Sequence, residues 1–216
     1  MPEPWRLSLH RRGFLRVCPP LLASFVLATC NRRSTSRALQ TTNPSAPTQR
    51  LPPTPACGAD GFTPAQTAGP FYTPDSPERT TLREPQLTGT PIVLTGQVLA
   101  SDCTPIAKTL VDFWHANDQG EYDNSGYRLR GHQFTDAEGR YRLETIVPGF
   151  YPGRTRHFHV RVQAPAHPGL TTQLYFPDEP SNQDDGLFQP QLLMVMQDGN
   201  GVKQARFNFV LDIERV

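Results

Sequence analysis

The chain has 216 residues, 37% of them hydrophobic, and carries 21 Lys and Arg against 20 Asp and Glu. That length suits one main domain plus an appendage at roughly 100–200 residues per domain, and the balanced charge, with no basic block, excludes the electrostatic footprint of a nucleic-acid binder. The 23 prolines, about 11% of the chain against a usual ~5%, exclude a helical bundle, because proline breaks helix interiors.

Residues 1–30 read as an export signal. Arg11-Arg12-Gly13-Phe14-Leu15 sets two arginines before an apolar stretch from Val17 to Thr29, the pattern of a twin-arginine signal. The stretch is interrupted by Pro19 and Pro20 and falls short of the ~20 residues a spanning helix needs. Leu27-Ala28-Thr29-Cys30 fits two processing outcomes, lipidation of Cys30 with membrane attachment or ordinary signal cleavage. The expected location is the periplasm or cell envelope. Residues 31–56 are rich in Pro, Ser and Thr and poor in apolar side chains, so they cannot offset ordering entropy and read as a disordered tether.

From Cys57 to Val216 the texture changes to short alternating or β-branched apolar runs parted by turn residues, which predicts an all-β, two-sheet sandwich. Strands are expected at 91–99, 109–115, 139–146, 156–162, 170–176, 192–196 and 206–213. Ser76-Pro77-Glu78 predicts a short helical turn, since Ser caps and Pro suits the first helical position.

Within the run His157-Phe158-His159-Val160-Arg161-Val162, strand alternation sends both imidazoles to one face and Phe158, Val160 and Val162 to the other. Two neutral imidazoles side by side suit a single metal ion. Tyr122 and Tyr151 lie upstream, and using a phenol with an ordinary pKa near 10 as a ligand at neutral pH requires a strong local cation, which a ferric ion supplies.

These residues fall into a larger collinear pattern. It comprises Trp114-His115-Ala116-Asn117 with Gly120 and Tyr122, Thr135-Asp136 with Gly139-Arg140-Tyr141, and Thr145 to Pro152. Arg154, His157-Phe158-His159 and Thr171 to Phe176 complete it. Over about residues 62–213 the chain resembles the intradiol ring-cleavage dioxygenases of catechol, protocatechuate and hydroxyquinol. The resemblance implies a mononuclear non-haem Fe(III) held by Tyr122, Tyr151, His157 and His159. It also implies that Tyr151 is displaced by substrate and takes one of its protons, that Arg154 stabilises negative charge on the ring, and that Gln173 is an amide close to the metal. The implied reaction inserts both atoms of O₂ into a small aromatic diol and cleaves the bond between its hydroxylated carbons, giving a muconate-type diacid. The chain lacks the helical N-terminal segment of the catechol and hydroxyquinol enzymes, so the resemblance does not select one diol as substrate, and self-association is left open.

The remaining aromatic and histidine positions read differently. Tyr141 and Tyr175 read as core aromatics with a surface hydroxyl, and Tyr127 as the competitor for the role of ligand. His115 and His132 read as turn or rim residues, and His167 as part of an exposed turn. Trp114 and Tyr72 are candidates for the pocket lining, with packing under the site and cover over the sheet edge as their alternatives. A rival reading of the whole chain is a non-catalytic, transthyretin-like β-sandwich binding module tethered at the cell surface. Export leaves Cys57 and Cys103 as an even pair, and in an oxidising compartment such thiols form a disulfide.

Overall fold

The computed structural model describes Cys57 and residues 61–213; the export signal over 1–30, the lipidation site at Cys30 and the tether over 31–56 lie outside them. Among the described residues nine strands run in chain order, namely β1 (Pro91–Leu99), β2 (Leu110–Trp114), β3 (Arg130–Phe134), β4 (Arg140–Ile146), β5 (His157–Gln163), β6 (Leu170–Tyr175), β7 (Val195–Gln197), β8 (Lys203–Arg206) and β9 (Phe209–Val210). They form the expected two-sheet sandwich. One sheet has the order β4-β1-β8-β7 with β9 also paired to β1, and the other has the order β3-β2-β5-β6.

Alternation explains the core. In β4, Arg140 and Arg142 face water while Tyr141 and Leu143 are buried, as expected of an antiparallel strand with one solvated face. Tyr141, Leu143, Ile92, Leu94, Val111, Phe113, Phe158, Val160 and Val162 meet between the sheets, each at most 4% exposed. The Tyr141 hydroxyl is not at the surface as expected; it is buried and donates to the Phe207 carbonyl at 2.8 Å. His115 is likewise interior rather than at a rim. Its Nε2 lies 2.7 Å from Thr145 Oγ1, and its ring stands edge-on to Phe158.

Several boundaries differ from expectation. The strand expected over 206–213 is split, because Gln97 N–H donates to the Asn208 side chain at 3.0 Å and interrupts the main-chain ladder beside β1. Gly96 is required there: a Cβ would come 1.6 Å from the Phe207 carbonyl oxygen. The strand expected over 192–196 begins later, since Pro190–Leu192 forms a 3-10 turn. Ser76-Pro77-Glu78 is extended rather than helical. The Ser76 hydroxyl donates to Asp112 at 2.7 Å instead of capping a helix, and the main chain from 77 to 82 bonds to His132 on β3 and to Glu144 on β4. This segment therefore closes one edge of each sheet, where unpaired strand groups would otherwise be exposed. Gln133 joins the same two edges from within, with its side-chain amide donating to the Arg142 carbonyl and accepting from the Arg142 N–H.

The strands β2, β5 and β6 depart from one-sided burial. His157 through Val160 are buried on both faces, because residues 63–72 form a roof over the outer face of the four-stranded sheet. Gln66 N–H donates to the Thr171 carbonyl, Thr172 Oγ1 to the Pro64 carbonyl, and Gln173 Nε2 to the Thr67 carbonyl.

Cys57 and Cys103 form the expected disulfide, with Cα atoms 5.6 Å apart and a sequence separation of 46. In the chain-entropy account, closing a loop of that length stabilises the fold by about 4 kcal/mol, less any native strain. Mass spectrometry of non-reduced protein should find no free thiol at either position, and reduction should lower the melting temperature. Gly96→Ala should also cost about 1–3 kcal/mol or more in chemical denaturation, through overpacking against Phe207.

Candidate active site

The outer face of the four-stranded sheet is laid out by strand register. Trp114 on β2 stands opposite Arg130 on β3 and His159 on β5, and His159 stands opposite Gln173 on β6. His157 and Tyr175 form the next pair along. Under the roof this row becomes a buried polar cluster. Trp114, His157, His159 and Gln173 are all at most 4% exposed.

The two imidazoles converge as the alternation requires. Their Nε2 atoms are 3.1 Å apart, and the Tyr122 hydroxyl lies 3.4 Å from His157 Nε2. Nδ1 of His157 is 2.7 Å from the Thr155 carbonyl, an acceptor, so Nδ1 carries the proton and Nε2 offers its lone pair to the cluster. Two facing nitrogens at that distance need a shared proton or a cation between them. Two imidazole nitrogens bound to one ion at about 2.1 Å each would stand roughly 3 Å apart. Burial, the dominant influence, lowers the His157 pKa to about 4 and holds that of His159 well below the ordinary value, so both rings are kept in the neutral form a metal requires. Burial raises the Tyr122 phenol, with Arg154 and then Arg130 acting in the opposite direction.

Tyr122 and Tyr151 are carried by two loops that lock together. The Asn117 carbonyl accepts from Gly149 N–H at 2.7 Å and from Gly120 N–H at 3.1 Å. Gly120 has a positive φ of 87°, and a Cβ on it would come 2.0 Å from the Phe150 carbonyl oxygen, so no larger residue fits this contact. The Tyr151 ring lies edge-on to Tyr122 and Phe71, with centroid separations of 5.9 and 5.4 Å. Tyr127, the competitor, is turned elsewhere, with its hydroxyl donating to the Pro74 carbonyl at 3.1 Å.

Arg154 is held by a polar network on the β6 side. Its Nε donates to both carboxylate oxygens of Asp185 at 3.0 and 2.9 Å, and its Nη2 donates to Gln173 Oε1 and, at 3.4 Å, reaches the Tyr175 hydroxyl. Nη1 makes no protein hydrogen bond among the described residues. The Tyr175 hydroxyl is not at a surface as expected; it joins this network and reaches Gln66 Oε1 at 2.7 Å and the Leu187 carbonyl at 3.0 Å. Asp185, Tyr175 and Gln66 are thus site residues that the sequence reading missed. The one available signal was chemical: a half-buried Arg154 needs a carboxylate, but nothing in the sequence selects Asp185 from the other acids.

The two candidate lining residues take structural positions. Trp114 stacks flat on His159, with centroids 5.0 Å apart and planes 4° apart, so it is a floor beneath the ligand cluster. Tyr72 covers Trp114 at 4.7 Å, and its hydroxyl lies 3.4 Å from Asp112. His132 is tied to the Ser76 carbonyl at 2.6 Å, and His167 is exposed as expected.

The donor set fits a hard metal ion. Among the described residues no three His, Cys, Asp or Glu side chains group into a site, so an ion here depends on the phenols beside the His pair. A buried phenol ionises only beside a strong cation, and oxygen and imidazole donors together suit Fe(III).

Comparison with known proteins gives the family. A family model described as dioxygenase matches residues 67–213. Catechol 1,2-dioxygenase 2 of Acinetobacter lwoffii is 33% identical over 157 residues, covering 61% of this chain and 57% of its own. The protocatechuate 3,4-dioxygenase beta chain of Burkholderia cepacia is 37% identical over 119 residues, covering 47% and 51%. The chain thus spans about half the length of these curated relatives. Among solved structures, the dioxygenase domain of a dioxygenase and carbohydrate-binding protein fusion from Streptomyces sp. SirexAA-E superposes with a TM-score of 0.70 at 50% identity, covering 71% of this chain and 99% of that one. With the family model spanning well over half its length, and with a two-sheet fold and relatives of these kinds, the chain belongs to the intradiol ring-cleavage dioxygenase family.

Proposed function

We propose that the domain is an Fe(III)-dependent intradiol dioxygenase that cleaves a catechol-type diol between its hydroxylated carbons and incorporates both atoms of O₂. The observation that carries this reading is the convergence of His157 Nε2, His159 Nε2 and the Tyr122 hydroxyl within 3.1–3.4 Å under the roof, with the Tyr151 ring beside them. A non-catalytic sandwich module has no use for two buried neutral imidazoles facing each other.

Tyr122, Tyr151, His157 and His159 would hold the ion, which when bound would supply Lewis acidity toward the diol oxygens. Tyr122 is fixed by the stacked Phe71 ring at 4.5 Å and remains in place. Tyr151 sits in the loop between β4 and β5 and has only edge-on contacts to Phe71 and Tyr122, so it is the phenol able to swing aside and accept a substrate proton at its oxygen. Arg154 is oriented through Nε and Nη2 and keeps Nη1 for negative charge developing on the ring, with no reorganisation needed during reaction. Gln173, fully buried, fixes Arg154 from below through its oxygen and the roof through its amide nitrogen. The catechol, protocatechuate and hydroxyquinol enzymes among its relatives define the diols to screen. We further propose that the domain works outside the cytoplasm, a reading supported by the Cys57–Cys103 bridge, since such bonds persist in oxidising compartments.

Iron-replete protein should be coloured by phenolate-to-Fe(III) charge transfer, and it should lose both colour and ring cleavage on chelation and regain them with Fe(III). Protein that stays colourless and inactive toward every diol after iron loading would exclude the reading. Phe at Tyr122 or Tyr151, or Ala at His157 or His159, should abolish cleavage, and the two Phe variants should shift the visible band. Phe at Tyr141 should leave the band in place.

Arg154→Ala separates charge stabilisation from metal binding. Turnover should fall by roughly 10²–10³-fold, the usual loss for one preorganised donor, while colour and substrate binding persist. Tyr175→Phe should also keep iron and lower turnover, because it removes one support of the Arg154 network. Stopped-flow absorbance under single-turnover conditions would read both effects.

A further inference from the structure

Arg130 is a buried charge that the proposed reaction does not use. It opens β3, a strand the sequence pattern does not reveal, and it is 1% exposed. Its guanidinium bonds only to main-chain carbonyls. Nε and Nη2 donate to the Asp123 carbonyl at 3.1 and 2.7 Å, and Nη1 donates to the Phe71 carbonyl at 2.5 Å. The Asp123 carboxylate is occupied by the N–H groups of Ser125, Gly126 and Arg128 in its own loop. Arg130 therefore lacks a carboxylate partner among the described residues, a costly state for a buried cation.

Both carbonyls belong to the immediate surroundings of Tyr122. Asp123 is its chain neighbour, and the Phe71 ring stacks on its ring at 4.5 Å and 21°. One planar fork thus ties the loop that carries Tyr122 to the roof segment that covers it. Arg79 secures the fork in turn, with Nε and Nη2 donating to the Arg130 carbonyl at 3.0 and 2.8 Å.

We propose that Arg130 is the positioning residue of the metal site: by clamping the Asp123 and Phe71 carbonyls it fixes the orientation of the Tyr122 ring toward His157. The inference rests on the reading of Tyr122 as a ligand. It requires the two-pronged geometry and not charge alone, so lysine, a point charge that cannot span both carbonyls in a rigid plane, is no substitute.

The test uses the iron-loaded protein and compares Arg130→Lys, Arg130→Gln and Phe71→Leu with wild type. The readouts are the visible charge-transfer band and the rate of iron release to excess chelator, with far-UV circular dichroism as the control for folding. Substituting a residue that supports a ligand typically weakens metal binding by roughly 10–100-fold. Both Arg130 variants should therefore release iron about tenfold faster or more and shift the band, and Phe71→Leu should shift it in the same direction. Wild-type band and release in Arg130→Lys would overturn the clamp. Should the Arg130 variants not fold, Phe71→Leu decides, and a band and release rate unchanged in it would overturn the proposal. A wild-type protein that takes up no iron would remove the metal reading and this inference together, whereas iron-bearing wild type with unaltered variants would remove only the role of Arg130.

Discussion

The roof formed by residues 63–72 over the outer face of the four-stranded sheet is the constraint on which the site depends. A sandwich normally solvates its outer faces, and a His-x-His pair there would titrate near its ordinary pKa and bind a metal weakly. A main-chain bond from Gln66 to Thr171 and one from the Gln173 side-chain amide to the Thr67 carbonyl bring the roof down on β5 and β6. Beneath it both imidazoles are desolvated and held neutral. Gly69 shows how close the approach is, since a Cβ there would stand 3.3 Å from His159 Cε1.

The roof also makes the arginines matter. Desolvation strengthens every interaction beneath it and makes any unpaired polar group costly. Arg154 meets this with Asp185, whose side chain is 2% exposed, and with Gln173. Arg130 meets it with three bonds to carbonyls. Each guanidinium is thereby held in one orientation by the protein's own groups. The two loops bearing phenols are fixed from the opposite side by the Asn117 carbonyl, which bonds both Gly120 and Gly149.

Much of this was legible in the residues. The period of two in His157–Val162 gives the shared face of the His pair, and the β-branched and alternating runs give β1, β2, β4, β5 and β6. The strand β3 was not legible, because Arg130, His132 and Phe134 point outward and its inward positions are Gly131 and Gln133, which contribute no apolar stripe. Its place comes instead from polar bonds across the sheet edges, Gln133 to Arg142 above all. Ser76-Pro77-Glu78 carried a helix-start signal, yet an extended segment bonded to two sheet edges satisfies more main-chain groups than one isolated helical turn could.

By itself, the sequence determined the sandwich class, the His-x-His face and the pairing of Cys57 with Cys103, which follow from local periodicity and residue chemistry. The set Tyr122, Tyr151, Arg154, His157, His159 and Gln173 came instead from the resemblance of its collinear motifs to a family. Only the tertiary structure decided that Asp185, Tyr175 and Gln66 complete the Arg154 network, that Trp114 floors His159, and that Arg130 clamps the surroundings of Tyr122. The reason is that, apart from the bond of Arg130 to Asp123 seven positions away, these are contacts between residues 21 to 109 positions apart, set by strand register and by the path of the roof, and no local pattern records which distant carbonyl or carboxylate a buried side chain will meet.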